Sequence, residues 1–272
     1  MIANKWRHWM GLGISLFASS LPVHASLKSA LTQGGVYSGQ VEPGSKVFYL
    51  GQEVSVTEEG RFVFGFGRDA PLNQSYQTVS PSGEQKTVRL ELVPRQYKVQ
   101  KINGIAKKYI QPAKAVLERI RLENIQVRAA REHETEEDDF FQGFTWPLTG
   151  PVTGVYGSQR VFNGERRRPH FGVDIAAPTG TLIKAPADGV VTLSERNLYF
   201  SGGTLIIDHG YGMSSSFLHL SDILVKVGQV IKRGDAIAKV GATGRVTGAH
   251  LDWRINWFDK RLDPQLLAGA QK

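Results

Sequence analysis

From residue 26 onward the chain is dominated by short apolar runs separated by glycine-rich turns. Lys46-Val47-Phe48-Tyr49-Leu50, Val54-Ser55-Val56 and Arg61-Phe62-Val63-Phe64-Gly65 are punctuated by Glu42-Pro43-Gly44 and Glu59-Gly60. Residues 87–93 alternate apolar and polar positions, the pattern of a half-buried strand. Short strands at this spacing predict a small β-sandwich-like domain over residues 26–98. The period then changes. After Pro112, the residues Val116, Leu117, Ile120, Leu122, Ile125 and Val127 recur at helical spacing and lead into an acidic run over 132–139. This predicts an amphipathic helix within a helical linker over 99–143. Apolar stripes generally mark packing, so the helix is expected to pack on the domains that it joins; the alternative is a regulatory arm over an active site. From Trp146 the strand pattern resumes at 181–185, 189–193, 204–208, 215–219, 234–238 and 250–255, with almost no helix. The fold class is therefore mostly β, closing with an antiparallel β-sheet domain over 144–268.

The first 25 residues depart from this pattern. Lys5 and Arg7 precede a mostly apolar stretch containing Leu12, Ile14, Leu16 and Phe17, and Val23-His24-Ala25 places small residues at the positions a signal peptidase reads. This predicts a secretory signal cleaved after Ala25. The apolar run is too short to span a bilayer, which takes roughly 20 residues. No later segment is long and apolar enough, so the mature protein is expected in the periplasm or secreted, without a stable membrane span.

Composition changes the picture little. The 272 residues suffice for one large or two modest domains, and 41% hydrophobic content argues against disorder. The net charge of +8 falls to +6 once Lys5 and Arg7 are removed, which favours anionic partners without choosing among them. There is no cysteine, so disulfides and thiolate metal sites are excluded. Phosphate-loop, dinucleotide and zinc-finger spacings are absent, which leaves no basis beyond charge for nucleic-acid binding.

The candidate chemistry lies in three stretches: Arg168-Pro169-His170-Phe171-Gly172-Val173-Asp174, Phe217-Leu218-His219-Leu220-Ser221 and Gly248-Ala249-His250-Leu251-Asp252-Trp253. His250 and Asp252 are two apart on one expected strand and so face the same way. His170 and Asp174 flank Pro169 and Gly172, which disfavour a helix and suggest a loop entering a strand. Two sequence-distant His/Asp pairs can supply converging nitrogen and oxygen donors for a metal. Arg166, Arg167 and Arg168 form a basic run beside His170 that could attract an anionic ligand.

Residues 144–267 resemble the LytM/lysostaphin-type zinc endopeptidases that cut peptidoglycan peptides. The resemblance rests on Gly154-Val155-Tyr156-Gly157-Ser158-Gln159-Arg160, the His170-x-x-x-Asp174 spacing, residues 175–181, 185–191 and 208–212, Leu218-His219-Leu220-Ser221, residues 225–230, and Gly248-Ala249-His250. Residues 26–98 more loosely resemble the Ig-like accessory modules of exported bacterial proteins. The resemblance implies His170 and Asp174 as zinc ligands, His250 as general base and His219 as the second catalytic histidine. It also implies Arg160 as a substrate-carboxylate contact and peptidoglycan peptide stems as substrate. It departs at the third ligand, where the second histidine of the family's His-x-His is Asp252. An aspartate Oδ lies as many bonds from Cα as a histidine Nδ1, and carboxylates ligate zinc, so Asp252 is expected to complete the site. Two carboxylates would cancel the charge of a dication and leave its water less acidic. Asp252→His is then expected to keep or raise activity and lower the pH optimum. The competing reading is a degenerate family member that binds peptidoglycan or activates a wall amidase. His209 is read as structural, His133 as solvated, and 253–257 as packing the last strand.

Overall fold

A computed structural model describes residues 27–102 and 114–271. The expected signal over 1–25, and Pro112 in the linker, lie outside the described residues. The N-terminal part forms β1 (Val36–Gln40), β2 (Lys46–Tyr49), β3 (Gln52–Val54), β4 (Arg61–Gly65), β5 (Asn73–Val79), β6 (Gln85–Glu91) and β7 (Val99–Ile102). Strands β1 and β4 pair antiparallel, and β3-β2-β5-β6 form a second antiparallel sheet. Aromatic rings join the two: Tyr49 stacks on Phe64 with centroids 4.1 Å apart, and Tyr37 packs on Tyr76 at 5.2 Å.

Then come α1 (Leu117–Glu132), β8 (Val152–Gly154), β9 (Gln159–Phe162), β10 (Glu165–Arg166), β11 (Val173–Ala176), β12 (Leu182–Lys184), β13 (Gly189–Leu198), β14 (Gly202–Gly210) and β15 (Met213–Leu220). They are followed by β16 (Asp222–Ile223), β17 (Val230–Ile231), β18 (Ala236–Lys239), β19 (His250–Trp257), β20 (Lys260–Leu262) and a short α2 (Pro264–Ala268). The main sheet runs β17-β13-β14-β15-β19-β11-β8, with β20 paired to β19. Residues 99–143 are thus more than a helix: β7 pairs in parallel with β9, inserting this segment beside the strand that precedes His170.

The main sheet has two unlike faces. Leu205, Ile207, Phe217, Leu251, Trp253 and Ile255 point into a core continuous with Val36, Phe62 and Phe64 of the N-terminal sheets. On the opposite face Leu193, Leu198 and Ile206 form a smaller apolar cluster, covered by Val127 and Ala130 of α1. This explains why β14 reads as an unbroken apolar run: both of its faces are covered. The helix itself is thinly anchored. Ile120, Glu123, Val127, Ala130 and Arg131 turn towards the sheet, whereas Leu117, Leu122 and Ile125 are about half exposed. The expected apolar stripe therefore packs only in part, and a helix with no side-chain N-cap depends on that partial packing. Among the described residues no helix is long and apolar enough to cross a membrane.

Candidate metal centre and cleft

Pairing register brings the candidate residues together. Across β15, β19, β11 and β8, Leu218 lies opposite Asp252, Asp252 opposite Asp174, and Asp174 opposite Gly154. Within β19 the strand alternation sends Leu251, Trp253 and Ile255 to the core, so His250, Asp252, Arg254 and Asn256 form a row on the other face. His170 lies on the loop entering β11, pinned by its N–H donating to Ser158 O at 2.8 Å and by Gly157 N–H donating to its own carbonyl at 2.8 Å. The close approach of β8, β11 and β19 requires glycine at two points. A Cβ on Gly154 would collide with Asp174, and one on Gly172 would lie 2.5 Å from Asp252 Oδ1 and 2.6 Å from Trp253 O.

His170, Asp174 and Asp252 each offer a donor atom, and these atoms lie within 4.8 Å of one another. His170 Nε2 is 3.2 Å from Asp174 Oδ1. Both atoms are sealed from solvent, and neither has a hydrogen-bond partner. Buried polar atoms are rarely left so. Two orphaned, facing donors beside a third carboxylate are what a cation would satisfy, so the residues present fit a metal ion.

Two further imidazoles flank this group. His250 Nε2 stands 3.7 Å from Asp174 Oδ1, and the His219 and His250 ring centroids are 5.0 Å apart. His250 Nδ1 contacts Gly248 O and His219 Nδ1 contacts Thr243 O, each at 2.9 Å. A carbonyl only accepts, so each Nδ1 carries a proton, which leaves Nε2 as the acceptor of each ring in its neutral form. Burial depresses the His219 pKa, outweighing the Thr243 carbonyl that favours its charged form. His219 also has a positive φ of 66°. In a regular strand it would point away from the face Leu218 occupies; the left-handed backbone lets both line one cleft.

Arg254 is the site residue that the sequence reading left among strand-packing positions. Its Nε donates to Asp252 Oδ1 at 2.9 Å and its Nη2 to Asp252 Oδ2 at 2.5 Å. Burial alone would raise the Asp252 pKa, but the Arg254 charge and hydrogen bonds prevail and hold it at about 2. Period-two alternation from His250 was the signal that could have found Arg254. Arg131 was also missed: it reaches from α1 across to Ser216 Oγ in β15, at 3.4 Å. Of the remaining candidates, Arg160 sits in β9 opposite Gln100, with its side chain outside the described residues. His209 is fully buried, its Nδ1 on Asp188 O at 2.6 Å and its Nε2 on Ser215 Oγ at 2.9 Å, as a structural histidine should be. The His133 ring is half exposed and sits 3.2 Å from Asp208 Oδ2.

His170, Asp174, His219 and Arg254 line one cleft of about 1910 Å³, whose other side is the inner face of α1. A family model described as Peptidase family M23 matches residues 168–264. A crystal structure of a Pseudomonas aeruginosa protein described as an M23 peptidase aligns with a TM-score of 0.71 at 31% identity, over 90% of this chain and 97% of that one. The chain belongs to peptidase family M23. The M23 match takes in His170, Asp174, His219, His250, Asp252 and Arg254, whereas Arg131 lies outside it. Two relatives from Vibrio cholerae serotype O1 are peptidoglycan DD-endopeptidases. ShyA is 45% identical over 91 residues, 34% of this chain and 21% of ShyA. ShyB is 40% identical over 113 residues, 42% of this chain and 24% of ShyB. The M23 chain thus matches less than a quarter of the length of either relative.

Proposed function

We propose that this chain is a zinc-dependent endopeptidase that hydrolyses peptide bonds in cell-wall peptidoglycan, exported to act in the cell envelope. The observation that carries this reading is the convergence of two orphaned donors, His170 Nε2 and Asp174 Oδ1, with Asp252, beside two histidines whose Nδ1 atoms are held by carbonyls. The names of the Vibrio cholerae relatives supply the substrate class. His170, Asp174 and Asp252 would hold the ion. Bound there, zinc would supply Lewis-acid polarisation of a carbonyl and a lowered water pKa. The chain's own residues do the rest. His250 Nε2 accepts the proton of the attacking water. His219, carrying on Nε2 a proton taken up from solvent, hydrogen-bonds the developing oxyanion or hands that proton to the leaving amine, and the proton on His250 returns to solvent. Arg160, in the strand leading to this loop, would contact a substrate carboxylate.

One observation favours the second reading, a non-catalytic wall-binding or amidase-activating protein: Arg254 occupies both oxygens of Asp252. Each carboxylate oxygen retains a further lone pair, so this grip competes with a metal without excluding it. The deciding experiment pairs the metal content of the purified protein with digestion of purified peptidoglycan. The enzyme reading expects about one zinc per chain, release of peptides, and loss of both with His170→Ala. Metal-free protein that releases nothing would sink the enzyme reading.

A further inference from the structure

The cleft holds more positive charge than its carboxylates neutralise. Arg131 of α1, Arg168 before His170, and Arg261 of β20 all line it together with Arg254. Among the described residues, Arg131, Arg168 and Arg261 have no ion pair. Arg131 has a long contact with Ser216 Oγ, and its Nε is sealed from solvent without a partner. Arg261 Nη1 reaches only Asn256 Oδ1, at 3.5 Å. Of the carboxylates around them, Asp252 is engaged by Arg254 and the exposed Asp259 by Lys260, while Asp174 and Glu132 also line the cleft but are fewer than its arginines. Burial, followed by repulsion from Arg254 and Arg168, pushes the Arg261 pKa down to about 9. Burial and the charges of Arg261, Arg254 and Arg168 depress that of Arg131. Evolution of a folded cleft lined by mutually repelling guanidinium groups makes physical sense where an anion completes it.

We propose that Arg131, Arg168 and Arg261 form a subsite for the carboxylates of an acidic peptide, holding it beside His170, Asp174 and Asp252. The subsite is built from three separate elements, one of them α1, so the helix is a wall of the binding cleft and not merely a cover. This inference rests on the peptidase reading for its choice of ligand, while the test below measures binding and not cleavage. A planar guanidinium pairs with a carboxylate through two parallel hydrogen bonds, which lysine cannot reproduce.

The probes are an N-acetylated tripeptide carrying two free carboxylates, the same peptide with both carboxylates amidated, and inorganic phosphate. Each is titrated calorimetrically against the full chain and its His170→Ala variant, in which hydrolysis is removed. The dicarboxylate is expected to bind at least about tenfold more tightly than the diamide, in line with charge-assisted hydrogen bonds. Arg131→Gln and Arg261→Gln should each weaken dicarboxylate binding about five- to tenfold and leave the diamide unchanged, with Arg131→Lys recovering only part. Equal affinity for the two peptides overturns the proposal. So does phosphate binding as tightly as the dicarboxylate, which would identify a small-anion site, or tighter peptide binding by Arg131→Gln, which would make α1 an obstruction. Charge-selective binding by a parent chain that holds no metal as purified would sink the peptidase reading alone. Peptide hydrolysis without charge selectivity would sink the subsite alone.

Discussion

Arg254 grips Asp252 from two positions along the same strand, Nε on Oδ1 and Nη2 on Oδ2, so that a buried carboxylate and a partly buried guanidinium form one neutral unit. A histidine at position 252 would also have been neutral. The aspartate therefore does not add a net negative charge to the candidate metal centre, as its sequence alone implied, because its partner two residues on returns the balance. Water on an ion held there would be correspondingly more acidic than two bare carboxylates would allow.

Removing Arg254 should expose this dependence. In Arg254→Gln, the metal-free protein retains a buried, unpaired Asp252 carboxylate and loses about 3 kcal/mol of stability. A metal ion then meets two uncompensated carboxylates and no neighbouring cation, so its affinity rises on the order of tenfold or more. The variant should melt well below the parent in chelator and recover when zinc is added. Melting curves with and without chelator measure both effects, and a variant indifferent to chelator would refute the coupling.

The same pair revises the expectation for Asp252→His. That single change strands the Arg254 charge beside the site, so zinc affinity should fall, and activity should fall with it instead of being kept or raised. Asp252→His with Arg254→Gln restores a neutral ligand without the stray cation and should recover at least the parental affinity. Zinc titration of the two variants against the parent tests the order; a single variant that binds as well as the double would show Arg254 to be irrelevant.

Gly172 offers a test of how tightly the centre is built. An alanine Cβ there would press on Asp252 Oδ1 and on the Trp253 carbonyl, and the latter is backbone that cannot swing away. Gly172→Ala should cost about 1–3 kcal/mol and loosen metal binding by pushing β11 from β19. Gly67→Ala, where an added Cβ meets nothing within 4 Å, serves as the control. Thermal melting and metal titration of both variants should separate them; equal behaviour would mean that the strands adjust freely.

Much of this was legible in the sequence because it follows from local rules. Alternation predicted that His250 and Asp252 share a face, and glycine and proline around His170 correctly suggested a loop entering a strand. What escaped depends on distance in the chain. Arg254 was hidden because 253–257 reads as a packing strand, and only the partner of Asp252 gives the guanidinium its meaning. Arg131 lies 123 residues before Arg254 by subtraction of their numbers, and only the fold of α1 over β14 and β15 brings them to one cleft. The helical period correctly identified α1, but periodicity does not say how much of an apolar stripe finds a partner, and Leu117, Leu122 and Ile125 found little.

His209 should make the fold acid-sensitive. Burial, only partly opposed by the Asp188 carbonyl, lowers its pKa from 6.5 to about 4. Above pH 6.5 the ring is neutral in both folded and unfolded chains and has no effect. As pH falls from 6.5 towards 4, the unfolded chain takes up a proton that the folded one refuses, so stability is lost, up to roughly 3 kcal/mol. Below about 4 the loss is complete. Burial depresses His219 too, adding to the loss in the same direction. Urea unfolding at pH 7 and pH 5 should show the decline, with a shallower slope in His209→Gln; an unchanged slope would remove His209 as its source.

The helix α1 should open before the sheet beneath it. Its apolar hold consists of Val127 and Ala130 on Leu193, Leu198 and Ile206, supplemented by exposed polar contacts such as Gln126 to Glu195 at 2.6 Å. Burying one large aliphatic side chain contributes about 1.5–3 kcal/mol, so this docking is weak beside the global stability of a domain. Strand β14, buried along its whole length, has no comparable route to local exposure. Val127→Asp should therefore speed hydrogen exchange in α1 by about tenfold or more while β14 stays protected. Because α1 carries Arg131, the same substitution should weaken binding of the dicarboxylate peptide without changing zinc affinity. Exchange that rises equally in helix and sheet would show the two to be one cooperative unit, and an unaltered peptide affinity would show that the cleft does not need its helical wall.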